Sequence, residues 1–117
     1  ILFTFGSSMF NAIAKEVEIK YYVCVKNETN VTIYYAAGWC TLKGRKWKGW
    51  KNYAIKPGYT YIHSYTGLNR MDIMVHSGGD YGKWDIYTFK GTENSCAYNS
   101  TALIKWNTRG YLRIHKL

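Results

Sequence analysis

After residue 15 the apolar positions alternate along the chain, and no run of ten or more residues holds a helical period. Tyr21, Val23 and Val25 share one parity; so do Ile33 and Tyr35, and again Met71, Ile73 and Val75. This pattern predicts strands near 17–26, 31–37, 46–55, 59–65, 70–76, 81–90, 97–106 and 111–116. Between them lie residues that tolerate positive φ or preset a turn: 27–30, Gly38, Pro57-Gly58, 66–69, Ser77-Gly78-Gly79-Asp80, 91–94 and 107–110. The expected class is all-β, a single small β-sandwich of about seven to eight mostly antiparallel strands.

Facing preferences suggest how the strands pair. A loop over 27–30 between the first two strands mixes polar with apolar partners. A loop over 26–30 instead sets Val25 against Val31, Val23 against Ile33 and Tyr21 against Tyr35, gathering one apolar face. In that register Cys24 points away, opposite Thr32 and far along the ladder from Cys40, so Cys40 and Cys96 are the expected disulfide. Pro57-Gly58 reads as a hairpin turn, and the turn at 66–69 as one that pairs the strands carrying His63 and His76. In 81–90, Trp84, Ile86 and Thr88 share one face while Asp85, Tyr87 and Phe89 share the other. Two largely apolar faces predict a strand buried in the middle of a sheet.

Composition sharpens this. The chain has 117 residues, enough for one domain with a core of its own, and 47% hydrophobic with 18% aromatic residues excludes a solvated coil. The net charge is +9, all of it arising after residue 14, which favours anionic partners such as nucleic acid, acidic glycans or lipid surfaces. Solubility alone is the plainer explanation of the same charge. The opening ILFTFGSSMFNAIA is uncharged and ends in Ala12-Ile13-Ala14, a small-x-small pattern like a signal-peptidase site. We therefore expect 1–14 to be a signal-peptide remnant and 15–117 a single domain, secreted or periplasmic. Three cysteines fit one disulfide and one free thiol in an oxidising compartment.

Cys24-Val25-Lys26-Asn27-Glu28-Thr29, then Gly49-Trp50, then Ile55-Lys56-Pro57-Gly58 resemble the order found in a family of small exported bacterial domains of unknown function. Its members read C-N-x-T, a short strand, G-W-W-x-I-x-P-G, a strand with paired aromatics and a late cysteine. Tyr59-Thr60-Tyr61 and Cys96 match the last two, and the resemblance spans roughly 21 to 100. Two residues intervene between Cys24 and Asn27, and the step from Trp50 to Ile55 is wider than the family's and lacks its second tryptophan. An insertion of two residues preserves strand parity. The resemblance implies an exported setting and a fold; it implies no chemistry.

Catalysis would need His63, His76 and Asp72 to meet in a cleft, and a metal site would need His63, His76 and Asp80 to converge; no spacing enforces either. Ser77-Gly78-Gly79-Asp80 lacks the Lys-Ser/Thr continuation of a phosphate loop. Asn27-Glu28-Thr29, Asn30-Val31-Thr32 and Asn99-Ser100-Thr101 are sequons, relevant only in a eukaryotic secretory host. We expect no enzyme activity, no cofactor and no metal.

The segment 43–61 concentrates cations and rings: Lys43, Arg45, Lys46, Lys48, Lys51 and Lys56 alternate with Trp47, Trp50 and Tyr53. Cations beside exposed rings can follow an acidic backbone while the rings stack on bases or sugars. Equally, Trp47, Tyr53 and Ile55 share odd parity and would form a core face, leaving the lysines as a solvated edge that resists edge-to-edge pairing. Trp50 decides between these, because alternation puts it with the lysines unless Gly49 hosts a bulge. The function expected is an exported, non-enzymatic module that binds an anionic polymer or glycan through Arg45, Lys46, Lys48, Trp50 and Lys51. The alternatives are an envelope-associated structural protein whose basic face adheres to the cell surface, or a secreted effector or small hydrolase.

Overall fold

Alternating β-branched and aromatic residues form strands here because one face of each is buried and the other wet. The computed structural model describes residues 19–41, 46–76 and 84–117. Within them lie β1 (Lys20–Asn27), β2 (Ile33–Cys40), β3 (Lys51–Ile55), β4 (Thr60–Thr66) and β5 (Arg70–His76). β6 (Trp84–Lys90), β7 (Thr92–Glu93), β8 (Thr101–Trp106) and β9 (Leu112–Lys116) follow, with a 3₁₀ turn at Tyr98–Ser100 before β8. The expected leader at 1–14, Arg45 and the Ser77–Asp80 turn lie outside the described residues.

The strands make two packed sheets, so the chain is an all-β sandwich. In the first sheet the order is β4-β1-β8-β9, with β7 also paired to β1; in the second it is β3-β2-β5-β6. Among the described residues all pairs are antiparallel except β1 with β8. Val23, Val25, Ala102, Ile104 and Ile114 of the first sheet pack against Ile33, Tyr35, Ala37, Trp39, Met71, Ile73, Val75 and Phe89 of the second.

The expected first hairpin does not form. β1 and β2 lie in opposite sheets, β1 against β4, β7 and β8, and β2 against β3 and β5. Val23, Val25, Ile33 and Tyr35 are buried as expected, but they belong to opposing faces of the core. Parity selects the buried face of a strand and is silent about its neighbour. For the same reason Pro57-Gly58 closes no hairpin: Ile55 pairs with Ile33 while Thr60 pairs with Lys26, so residues 56–59 carry the chain from the second sheet to the first. Residues 67–69 carry it back, leaving the strands of His63 and His76 in different sheets. The turn at 107–110 does join a hairpin, β8 with β9.

Burying β1 in the other sheet also changes the disulfide. Cys24 pairs in register with Thr101 at the start of β8, and the segment before that strand delivers Cys96 to it. The bond is Cys24–Cys96, with a Cα–Cα distance of 5.9 Å, in place of the expected Cys40–Cys96. Cys40 is a buried free thiol in the second sheet that accepts a hydrogen bond from Arg70 Nε at 3.3 Å.

Among the described residues β6 is an edge strand rather than a central one, paired to β5 alone. Phe89 fills the core, whereas Trp84 and Ile86 on the other face are exposed. Asp85 Oδ2 accepts the Ile114 N–H at 2.8 Å, tying this edge to β9 of the opposite sheet. At the other side of the sandwich a buried corner ties the crossovers together. Asn27 Nδ2 donates to the carbonyls of Val31 (2.8 Å) and Ile55 (2.9 Å), and Asn27 Oδ1 accepts from the backbone N–H and hydroxyl of Thr29. All the polar atoms of that side chain are thereby paired, as burial demands.

Candidate functional site

The segment after the undescribed 42–45 lies along the end of β2. Thr41 N–H donates to the Lys46 carbonyl (3.0 Å) and Lys48 N–H to the Trp39 carbonyl (2.8 Å). Between these bonds the Trp47 ring lies over Gly38; a Cβ on Gly38 would stand 2.5 Å from Trp47 Cη2 and 2.8 Å from the Gly49 carbonyl oxygen. A glycine inside a strand marks such a close approach. Gly49 then takes φ +80°, a conformation natural to glycine, and the chain enters β3 at Lys51.

That kink breaks strict alternation through 46–55. Tyr53 and Ile55 keep the inward facing expected of them, but Trp47 does not join them: it is 47% exposed. Trp50 is 43% exposed and meets Trp47 edge to face, with ring centroids 5.1 Å apart. Lys46, Lys48 and Lys51, beside the two rings along the chain, are exposed. Of the expected site residues, Lys46, Lys48 and Trp50 thus lie on one ledge along the end of β2, and Lys51 follows at the start of β3, opposite Ala37. Beside it opens a groove of about 670 Å³, walled by Lys46, Trp47 and Lys48 on one side and by Ile19, Tyr21, Tyr65 and residues 66–68 on the other.

The ledge continues onto the outer face of the second sheet. Strand register sets side chains there in rows: Cys40, Arg70 and Lys90; then Gly38, Asp72 and Thr88; then Asn52, Ala36, Met74 and Ile86. Beyond them Tyr34 stands beside Ala54, and Trp84 beside His76. The Trp47 ring covers Gly38, and the Thr88 hydroxyl donates to Asp72 at 2.6 Å. The face therefore passes from cationic at the Trp47 end to neutral and aromatic at the Tyr34 end. A shallow trough of about 460 Å³ occupies the neutral end.

The histidines do not assemble a catalytic group. His63 points into the core from β4, whereas Asp72 and His76 lie on the outer face of β5. His63 Nε2 is 2.7 Å from the Tyr35 hydroxyl, and its ring stacks on Tyr61 (4.8 Å) and meets Tyr53 edge-on (4.6 Å). Burial lowers its pKa from 6.5 to about 4, and burial with the neighbouring Tyr61 and Tyr53 holds the Tyr35 phenol well above its usual range. Near neutral pH both groups are uncharged, which suits a packing contact better than proton transfer. Among the described residues there is no cluster of His, Cys, Asp and Glu able to hold a metal ion, and no helix long and apolar enough to cross a membrane.

No family model, curated protein or solved structure matches the chain. The sequence resemblance over 21 to 100 accordingly rests on its motifs alone.

Alternation did not reveal the exposure of Trp47 or the placing of Tyr34 and Trp84 on one face. Gly38, between Ala37 and Trp39 in an otherwise bulky strand, was the one sign that something crosses β2 closely.

Proposed function

We propose that this chain is an exported, non-enzymatic binding module that takes an anionic polymer or glycan on the ledge formed by Lys46, Trp47, Lys48, Trp50 and Lys51. The observation that carries this reading is the exposure of Trp50, edge to face with Trp47 in a segment whose lysines are also exposed, where a plain solvated edge would have buried it. A tryptophan left half in water costs hydrophobic stabilisation, and a surface that stacks on ligand rings recovers it on binding. The flanking groove gives an extended ligand somewhere to lie. Export is supported by the Cys24–Cys96 disulfide, which suits an oxidising compartment.

Retention on a heparin or phosphate-bearing resin tests the reading. It should fall steeply with salt, because each neutralised anion releases a counterion. Changing Lys46, Lys48 and Lys51 together to Gln should shift elution to much lower salt without changing the melting temperature. Retention indifferent to that triple change would remove the site. Intact mass of secreted protein tests export: a chain still carrying Ile1 to Ala14 would contradict it.

A further inference from the structure

We infer that the ligand is an acidic oligosaccharide chain that runs along β2 across the outer face of the second sheet, from the lysine ledge to an aromatic slot between Tyr34 and Trp84. This deepens the proposed function and rests on it.

Shape gives the track. Ala36 faces outward on β2 with one of the smallest side chains, so the floor is low between Tyr34 and the Trp47 ring that lies over Gly38. Taller rings stand at both ends, Trp47 and Trp50 at one and Tyr34 and Trp84 at the other. Tyr34 is 72% exposed and Trp84 53%, although the chain has a core in which large rings are readily buried. From Gly38 to Tyr34 the strand advances roughly 13 Å at about 3.3 Å per residue, longer than one monomer.

Chemistry selects the ligand class. The trough holds Tyr34, Trp84, Ala36, Ala54, Met74 and the amide of Asn52, with no cation among them. An apolar ring face flanked by a group that both donates and accepts suits a sugar ring, whose C–H face stacks while its hydroxyls reach the amide. Among the described residues of this path, cations stand toward the other end, where Lys46 and Lys48 flank Trp47 and are exposed to meet acidic groups. A single-stranded nucleic acid carries a phosphate on every nucleotide and asks for cations along its whole path. Here the middle of the path carries the Asp72 carboxylate. Acid groups interspersed with neutral ring faces match this distribution.

The probes are hyaluronan and chondroitin sulfate oligosaccharides of two, four and eight sugars, and an eight-residue oligothymidylate, each titrated by calorimetry. We expect affinity for at least one oligosaccharide series to climb with length. Tyr34→Ala with Trp84→Ala should weaken the octasaccharide at least tenfold and spare the disaccharide. The triple lysine variant should instead weaken both lengths. If the lysines govern heparin retention but affinity does not grow with length, or does not fall in the double variant, the inference fails and the simpler ledge survives. Oligothymidylate that binds more tightly than either octasaccharide also overturns it. Should the double variant not fold, the length series and the oligothymidylate comparison on the unaltered chain decide between the two outcomes. Heparin retention that ignores the lysines defeats the ledge itself, a separate and recognisable failure.

Discussion

Tyr35 Oη lies 2.7 Å from His63 Nε2, joining β2 of one sheet to β4 of the other across a seam that no ladder bridges. Tyr53 and Tyr61 pack on the same imidazole, so the outer strands of the two sheets, β3 and β4, meet through rings in place of backbone bonds.

This seam should loosen in acid. His63 titrates at about 4 when folded against 6.5 unfolded, so between those values the unfolded chain holds a proton that the folded chain refuses. Its stabilising effect is complete above pH 6.5 and is lost progressively as pH falls toward 4, about 3 kcal/mol in all. Urea midpoints should therefore drop between pH 6.5 and pH 5 in the unaltered protein. His63→Gln should start lower and show a much flatter dependence; an equally steep slope would assign the effect to another group.

The disulfide should be a large stabiliser. Cys24 and Cys96 are 72 residues apart, and closing a loop of that length restricts the unfolded chain by about 4 kcal/mol in the chain-entropy model. Proteolytic mapping under non-reducing conditions should recover the Cys24 and Cys96 peptides joined. Cys40, on the outer face of the second sheet but buried, with Arg70 on its sulfur, should react with thiol reagents only after unfolding. A recovered Cys40–Cys96 peptide would contradict the described topology.

Gly38→Ala should move the Trp47 ring. The new methyl meets both that ring and the Gly49 carbonyl, and backbone yields less readily than a side chain. We expect a loss of about 1–3 kcal/mol, typical of overpacking, together with earlier elution from heparin resin. Unchanged stability and retention would show that Trp47 does not depend on the gap.

Asn27→Asp is nearly isosteric yet should cost more than about 3 kcal/mol, because it replaces two donated hydrogen bonds with a buried carboxylate facing two carbonyl oxygens. Thr29→Ser keeps the hydroxyl and should cost far less. Comparable melting temperatures for the two variants would mean that the corner contributes little.

The class, most strand positions and the inward residues of β1, β2 and β5 were legible in the residue pattern, because period-two alternation is a local property. The pattern also identified Lys46, Lys48, Trp50 and Lys51 as neighbours, since they sit close together along the chain. Alternation expected one strand over 46–55 unless Gly49 hosted a bulge; the positive φ of Gly49 shortens it to 51–55. Which strands are neighbours emerged from the packed sheets alone, and with it the partner of Cys24, the edge position of β6 among the described residues and the separation of His63 from His76. Val23 and Ile33 are equally well buried side by side in one ladder or face to face across a core, so burial could not choose between hairpin and crossover. The outer face was hidden for the same reason: Tyr34, Trp84 and Trp47 come from distant segments, and only the pairing of β2 with β5 and of β5 with β6 sets them on one surface.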